Sequence, residues 1–187
     1  MKALESGYTI RSARMEELIL LSDIEKSAAG LFLNTPYSFL VNAAPLPLEF
    51  VQQRFQAGQV WVAVDRQDAV VGYAITHEVD GTLYLQEIDV DPKHGQKGIG
   101  SALVDTVCAW AKLHGYCVVS LSTFRDIPWN APFYSKLGFR TLDESELTPG
   151  FQHIRLKELE AGLPISERVI MHCELQPPNN PAAWRSL

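Results

Sequence analysis

The 187-residue sequence lacks the features of several classes of protein. It contains only three cysteines, Cys108, Cys117 and Cys173, and because they are widely spaced we expect reduced thiols instead of a disulfide framework. The five histidines show no HExxH or other paired-ligand spacing, so we expect no metal site. No apolar run approaches about 18 residues and no charged-then-apolar leader is visible. We therefore expect no membrane span and a cytoplasmic protein.

Positive charge is also scarce in this chain. Sixteen Lys and Arg residues stand against 22 Asp and Glu residues, which gives a formal net charge of −6. An acidic chain is poorly suited to bind nucleic acid. The composition, 47% hydrophobic and 20% charged, is typical of a globular protein. Its length suits one domain, which we predict at residues 1–175, followed by a Pro-rich tail at 176–187.

The most informative segment is a glycine-rich turn between a strand and a helix. Pro92 ends the strand because it donates no backbone N–H, and helical spacing of apolar residues begins at Ile99. A helix that starts directly after such a turn offers unpaired N–H groups and the positive end of its dipole, which together bind phosphate. Lys93 and Lys97 add positive charge. The glycines run GxxGxG, which is the order of neither the P-loop nor the dinucleotide-binding fingerprint.

This turn resembles the acyl-CoA-binding motif of the GCN5-related N-acetyltransferase (GNAT) superfamily, Q/R-x-x-G-x-G/A. One departure is that Gly95 stands where the family usually has Gln or Arg, with Gln96 beside it. The resemblance implies that the pyrophosphate of acetyl-CoA lies at the helix start and that the preceding strand end holds the pantetheine arm. The cofactor-binding residues that it implies are Ile88, Asp89, Val90, Gly95, Gln96, Lys97, Gly98, Ile99, Gly100, Ser101 and Asn130.

A second motif supports the same resemblance. The sequence FYSKLGF at residues 133–139 is similar to the second signature of the superfamily, FYxKLGF. Asn130 is a suitable N-cap for this short helix, and Gly138 is suited to end it. The Asn that the family often has seven residues before the tyrosine is Ile127 here. The two motifs occur in the family order, and the resemblance spans roughly residues 8–175.

The remaining elements agree with an α/β (α+β mixed sheet) fold, a splayed mixed sheet flanked by helices, as the resemblance implies. An amphipathic helix follows a short strand at 8–11, with an apolar side formed by Met15, Leu18, Ile19, Leu21, Ile24 and Ala28. A second short helix is predicted at 48–57. The later strands are predicted at 60–64, 69–79, 82–90, 116–122 and 168–175. Gly72 inside the second of these indicates a bulge or a close backbone approach.

The resemblance also implies the chemistry, which is direct attack of a primary amine on the thioester of acetyl-CoA in a ternary complex. Tyr134 stands where the family places the general acid for the CoA sulfur. Glu87 is the carboxylate nearest to the carbonyl-binding strand and is our candidate base, with Glu25 and Asp126 as weaker candidates.

The acceptor stays open at this point. Net acidity suits a cationic small molecule such as a polyamine or an aminoglycoside, and a protein amine is the alternative. The rival function is a non-catalytic acyl-CoA-binding or sensing module, in which the departures at Gly95 and Ile127 reflect lost chemistry. The tail or the last strand would be the surface for a homodimer.

Overall fold

The computed structural model describes residues 3–175, so the predicted tail at 176–187 lies outside the described residues. The strands are β1 Thr9–Ser12, β2 Val60–Val64, β3 Val70–Val79, β4 Thr82–Val90, β5 Val118–Phe124, β6 Arg140–Thr141 and β7 Arg168–Glu174. The α-helices are α1 Leu21–Ala29, α2 Leu48–Gln56, α3 Ile99–Leu113, α4 Ala131–Lys136 and α5 Pro149–Glu160. Short 3₁₀ helices span Met15–Leu20, Gly30–Phe32, Ser38–Asn42, Pro92–His94, Glu144–Glu146 and Ile165–Glu167.

The strands form one mixed sheet in the order β1-β2-β3-β4-β5-β7-β6. The pairs β1–β2, β2–β3, β5–β7 and β6–β7 are antiparallel. The pair β4–β5 is parallel, with Leu83 opposite Val119 and Tyr84 opposite Ser120. A parallel pair needs a crossover, which α3 provides. The predicted mixed sheet with flanking helices is confirmed.

The chain divides into two compact units. The first comprises the residues up to Thr76 together with Glu87–Val107, and the second comprises His77–Gln86 together with the residues from Cys108 onward. The single domain predicted for residues 1–175 stays a prediction.

The first unit has its own hydrophobic core, and the segment before α1 differs from its prediction. Leu18, Leu21 and Ile24 are buried in this core, whereas Met15 and Ile19 are 51% and 65% exposed. The segment Met15–Leu20 is a 3₁₀ helix with three residues per turn, so Ile19 lies off the face that Leu18 and Leu21 share. Met15 is the first residue of this segment.

The buried carboxylate of Glu17 fixes this 3₁₀ turn. It accepts hydrogen bonds from the Arg11 side chain at 2.6 and 2.9 Å and from the backbone N of Arg14 at 2.7 Å. The hydrogen bonds and the Arg11 charge hold the pKa of Glu17 below its usual value. The sequence pattern of apolar residues carries no sign of this local interaction.

The second unit packs α5 against a separate core. Tyr84, Leu142, Leu147, Phe151 and Ile170 form this buried cluster. Helix α5 begins after Thr148, whose side chain accepts from the backbone N of Phe151. Within the part of the chain that the structure describes, all three cysteines are free thiols, as predicted.

The backbone confirms the close approach predicted at Gly72 and shows the turn that joins β3 to β4. Asp80 and Gly81 have φ values of 47° and 77°, the left-handed pair that a tight β-hairpin turn requires. Gly72 marks a close approach, because a Cβ at this position would lie 2.8 Å from the carbonyl oxygen of Asp89.

We expect Gly72→Ala to destabilise the protein by about 1–3 kcal/mol, because the added methyl group meets a backbone atom that cannot move freely. The matched control is Gly30→Ala, where a Cβ meets no atom within 4 Å. This control should be neutral or stabilising by up to about 1 kcal/mol. Urea unfolding of both variants measures the difference, and equal free energies of unfolding would contradict the close approach.

Candidate functional site

The glycine-rich turn after β4 places its sharpest bends at two residues. Gln96 and Gly98 have φ values of 58° and 79°, both in the left-handed region. Gly95 has an ordinary φ of −61°. The neighbouring Gln96, which is not a glycine, adopts the unusual conformation. Gly95 is instead approached closely, since a Cβ there would lie 3.1 Å from the carbonyl oxygen of Pro92.

The N-terminal segment packs directly on this turn. A Cβ at Gly98 would lie 2.5 Å from the carbonyl oxygen of Ala3, so only glycine fits beside this segment. The backbone N of Glu5 donates to the carbonyl oxygen of Lys97 at 3.0 Å. The turn is therefore held from outside by main-chain contacts, which the sequence did not reveal.

Tyr8 continues the contact between the segment and the turn. Its hydroxyl accepts a hydrogen bond from Nζ of Lys97 at 2.8 Å and lies 3.0 Å from Nδ1 of His94. The hydrogen bond to Tyr8 raises the pKa of Lys97, so this side chain carries a positive charge at neutral pH. The turn thus has a fixed cation beside the helix start.

Helix α3 begins directly after the turn. Its first hydrogen bond runs from the backbone N of Ala102 to the carbonyl oxygen of Gly98 at 3.0 Å. The N–H groups of Ile99, Gly100 and Ser101 therefore precede the hydrogen-bonded part of the helix and have no acceptor within it. Together with Lys97 and the positive end of the helix dipole, they form a site suited to an anion.

A second set of polar groups in the first unit joins α1, β3 and β4. The Tyr73 hydroxyl lies 3.2 Å from Oε2 of Glu25 and 3.2 Å from Oδ2 of Asp89. Oε2 of Glu25 also accepts from the backbone N of Leu46 at 3.1 Å. We call Glu25, Tyr73 and Asp89 the carboxylate cluster.

The carboxylate cluster holds a proton near neutral pH. Burial, followed by the charge of Glu25, raises the pKa of Asp89 to about 7. Burial also raises the pKa of Glu25. The Tyr73 pKa lies well above its usual value because of burial and then the charges of Asp89, Glu87 and Glu25. The single hydrogen of the Tyr73 hydroxyl can form a strong hydrogen bond with only one of the two carboxyl groups at a time. The raised pKa values of Asp89 and Glu25 favour a protonated form of the other.

A cavity of about 60 Å³ lies beside this cluster within the first unit. Its polar lining consists of Glu25, Tyr73 and Ser22. The rest of its lining is apolar and consists of Leu18, Ile19, Leu21, Leu46, Leu48, Val51 and Ile75. Glu25 was predicted only as a weaker base candidate, and Tyr73 was not predicted at all. The one signal of Tyr73 in the sequence is a hydroxyl in the otherwise apolar first part of β3, residues 70–75.

The second unit contains the other predicted site residues. Tyr134 is buried and packs edge-to-face against Phe133 and Phe139, with ring centroids 5.1 and 5.7 Å away. The Asn130 side chain does not cap α4. Its Oδ1 instead accepts from Oγ1 of Thr123 at 2.5 Å, and its backbone carbonyl accepts from the N of Phe133.

The structure thus groups the predicted residues in two sets. Glu87 and the residues from Ile88 to Ser101 belong to the first unit, whereas Asn130 and Tyr134 belong to the second.

In residues 3–175, no helix is long and apolar enough to cross a membrane. The same residues contain no group of three or more His, Cys, Asp or Glu side chains arranged to hold a metal ion.

Comparison with known proteins adds a family match. The model of the Acetyltransferase (GNAT) family matches residues 30–139, more than half of the chain. An N-acetylaspartate synthetase from Danio rerio is 37% identical over 103 residues, which is 53% of this chain and 36% of that protein. The chain spans about a third of the length of the curated relatives it matches.

Solved structures show the same fold. An acetyltransferase of the GNAT family from Staphylococcus aureus Mu50 has a TM-score of 0.68 at 19% identity, covering 90% of this chain and 99% of that one. The N-acetylglutamate synthase from Neisseria gonorrhoeae, complexed with coenzyme A and N-acetyl-glutamate, has a TM-score of 0.69 at 15% identity. That match covers 93% of this chain and 36% of the synthase.

The raised pKa of Asp89 predicts how stability depends on pH. The folded protein keeps this proton at pH values where the unfolded chain, with an Asp pKa of about 3.9, has released it. The contribution of Asp89 to the free energy of unfolding should therefore fall as the pH rises from about 4 to about 7, whereas groups with a lowered pKa, such as Glu17, act in the opposite direction. Asp89→Asn removes this carboxyl, and its stability relative to the parent should rise over the same window by about 1–3 kcal/mol.

Urea unfolding at pH 4.5 and 7.5 measures this change. Glu25 and Tyr73 face Asp89 and remain in the variant. The charge of Glu87 still raises the pKa of Tyr73, and the charge of Lys26 still lowers the pKa of Glu25. Asp105→Asn, at an exposed position of α3, makes the same substitution outside the carboxylate cluster and is the matched control. A stability difference between Asp89→Asn and the parent that is the same at both pH values would contradict the assignment.

Proposed function

The chain belongs to the acetyltransferase (GNAT) family, and on that premise we propose that it transfers the acetyl group of acetyl-CoA to a primary amine. The observation that carries this proposal is the turn from Gly95 to Gly100 that leads into the start of α3 beside the charged Lys97. This arrangement suits the pyrophosphate of a CoA thioester.

The cofactor residues have distinct roles in this proposal. The N–H groups of Ile99, Gly100 and Ser101 donate to the pyrophosphate, and Lys97 supplies a charge. The strand end at Ile88, Asp89 and Val90 contributes only backbone groups to the pantetheine arm, because the Asp89 carboxylate is engaged in the carboxylate cluster. Asn130 is the candidate contact in the second unit, where Thr123 fixes its side-chain oxygen and so directs its amide NH₂ the other way.

The reaction requires a neutral amine, a polarised carbonyl and a proton for the leaving sulfur. The ammonium group first loses one proton to the base. The lone pair of the resulting neutral amine then forms the N–C bond to the thioester carbonyl. The C–S bond breaks, the sulfur takes a proton from the Tyr134 hydroxyl, and the second proton lost by the new amide nitrogen restores that hydroxyl. The sum is one amide, one CoA thiol and one released proton.

Glu87 is the base that we propose for removing a proton from the amine. Its charge contributes to the raised pKa of Tyr73, which supports a place near the carboxylate cluster. Asp89 is the second candidate, since a carboxyl with a pKa of about 7 is close to the ideal for general base catalysis at neutral pH.

The names of related proteins support an amine acceptor without fixing which one. They are named as synthases of N-acetylaspartate and N-acetylglutamate, products in which a nitrogen carries the acetyl group. A non-catalytic acyl-CoA sensor is the alternative, which would bind acetyl-CoA and release no CoA thiol with any amine. A cytoplasmic location and a homodimer stay predictions.

Ser101→Asp tests the cofactor site without straining the backbone. An aspartate in the first turn of α3 is favourable for the helix, so the melting temperature should be unchanged or raised. The same charge repels a pyrophosphate, so the Kd for acetyl-CoA should rise at least about tenfold. Titration calorimetry measures both proteins, with the neutral Ser101→Asn as the matched control. Equal affinity in the Asp and Asn variants would place the pyrophosphate elsewhere.

Tyr134→Phe and Glu87→Gln test the acid and the base. Tyr134→Phe keeps the ring and should lower kcat about 100-fold while the Kd for acetyl-CoA stays within about twofold. Glu87→Gln should lower kcat and remove the acidic limb of the pH–rate profile. Tyr116→Phe, which removes a hydroxyl bonded to Glu78 at 3.1 Å, is the matched control and should not change kcat. An unchanged kcat in Tyr134→Phe would exclude the acid role.

A further inference from the structure

The cavity beside the carboxylate cluster carries information about the acceptor. We propose that it binds a primary amine with an unbranched or lightly branched apolar chain of about four to six carbon atoms. The chain would fill the apolar part of the cavity, and the ammonium group would lie at Glu25 and Tyr73. This inference rests on the proposed acetyl transfer and names the class of acceptor for it.

The lining of the cavity supports an apolar chain. Seven of its ten lining residues are aliphatic, and none of the ten is Lys, Arg or His. Leu18, Leu21, Val51 and Ile75 are almost fully buried, so this part of the wall is apolar and belongs to the core of the first unit. Burial of apolar surface against such a wall is favourable, whereas a charged or strongly polar group would lose its water without a partner.

The volume of the cavity limits the length of the chain. One water-sized group needs about 10–15 Å³ by the same measure, so about 60 Å³ holds roughly four to six such groups. A chain of propyl length leaves space unfilled, and a chain much longer than hexyl extends into solvent. The kcat/KM should therefore pass through a maximum at an intermediate chain length instead of rising with every added carbon atom.

The polar end of the cavity suits a positive charge. Glu25 is held in place by the backbone N of Leu46 and by Tyr73, and Asp89 lies on the other side of the Tyr73 hydroxyl. Lys26 is the cation that acts on Glu25, and it is more than half exposed and ion-paired at 3.9 Å with Asp23. An ammonium group is therefore attracted to this end, and a carboxylate is repelled.

These features argue against two other classes of acceptor. An amino dicarboxylic acid, of the kind acetylated in N-acetylaspartate or N-acetylglutamate, would bring carboxylates to a cavity whose only charged lining residue is Glu25. A polyamine would place a second ammonium group among leucine, valine and isoleucine side chains. Both arrangements desolvate a charge without a partner.

The experiment is a rate comparison with a panel of amines at saturating acetyl-CoA. The panel contains n-propylamine, n-butylamine, n-pentylamine, n-hexylamine, n-octylamine, L-aspartate, L-glutamate and spermidine, and CoA thiol release is the readout. Each buried methylene should raise kcat/KM about threefold to fourfold until the chain reaches five or six carbons, about the capacity of the cavity. The two dicarboxylates should react at least about 100-fold more slowly than n-pentylamine.

A matched pair of variants locates the preference in the cavity. Ile19 and Leu20 are adjacent and both exposed, but only Ile19 lines the cavity. Ile19→Arg introduces a cation that can pair with Glu25, and it should lower kcat/KM for n-pentylamine at least about tenfold. Leu20→Arg should leave kcat/KM within about twofold of the parent.

Direct binding separates a failure of this inference from a failure of the proposed reaction. Ligand-detected NMR with n-pentylamine, in the presence and absence of CoA, should show binding that Ile19→Arg weakens and Leu20→Arg does not. Turnover that favours a dicarboxylate, or amine binding that both variants leave unchanged, would overturn the inference while leaving acetyl transfer intact. Binding of n-pentylamine without any turnover would instead overturn the proposed reaction and keep the cavity assignment. No binding in the parent under either condition would overturn the inference outright.

Discussion

The close approach of β3 to the end of β4 at Gly72 is the constraint on which the first unit depends. A side chain at this position would meet the carbonyl oxygen of Asp89, so glycine is what allows the two backbones to come together. The backbone N of Asp91 then donates to the carbonyl oxygen of Val71 at 2.9 Å, which fixes the point from which the glycine-rich turn departs. The next residue, Tyr73, reaches the Asp89 carboxylate from the same place. One glycine therefore positions both the start of the turn and the centre of the carboxylate cluster.

The same short stretch of chain also separates charges by sign. Negative groups gather before Pro92, at Glu87 and Asp89, and positive groups follow it, at Lys93 and Lys97. In the proposed reaction, the phosphates of the co-substrate would meet the positive part and the ammonium of the acceptor would meet the negative part. Like charges repel strongly where water is scarce, so this separation discourages either substrate from occupying the other's place.

Local rules explain what the sequence could predict. The bounds of β4, Thr82–Val90, and the start of α3 at Ile99 were predicted correctly, because a hairpin turn, a proline and a change of hydrophobic period mark them directly. The mixed sheet and the family were predicted from two short motifs. These features depend on residues that are neighbours in the sequence, which is where pattern analysis works best.

Tertiary contacts explain what the sequence could not predict. Tyr73 meets Glu25 from 48 residues away and Asp89 from 16 residues away, and no periodicity links the three. Gln96 adopts a left-handed conformation that is usual for glycine. Gly98, two residues later in the same turn, is approached closely by the N-terminal segment. Asn130 has the sequence of a helix cap, but its side chain bonds to Thr123 instead. For Tyr73 and Asn130, contacts between separate elements decide what the side chain binds, and the local pattern does not show them.

The carboxylate cluster lowers the stability of the folded protein at neutral pH, and this points to a role other than stabilising the fold. Two carboxyl groups that burial forces toward their neutral forms weaken the folded state at neutral pH compared with apolar residues of similar size. A cluster kept only for stability would be expected to pair its acids with a buried cation. Here the cation acting on Glu25 is the largely exposed Lys26, and Glu25 and Tyr73 border a cavity. Perturbed acids at the wall of an otherwise apolar cavity are typical of a binding or catalytic site. An incoming ammonium group would supply the charge that the fold itself does not provide.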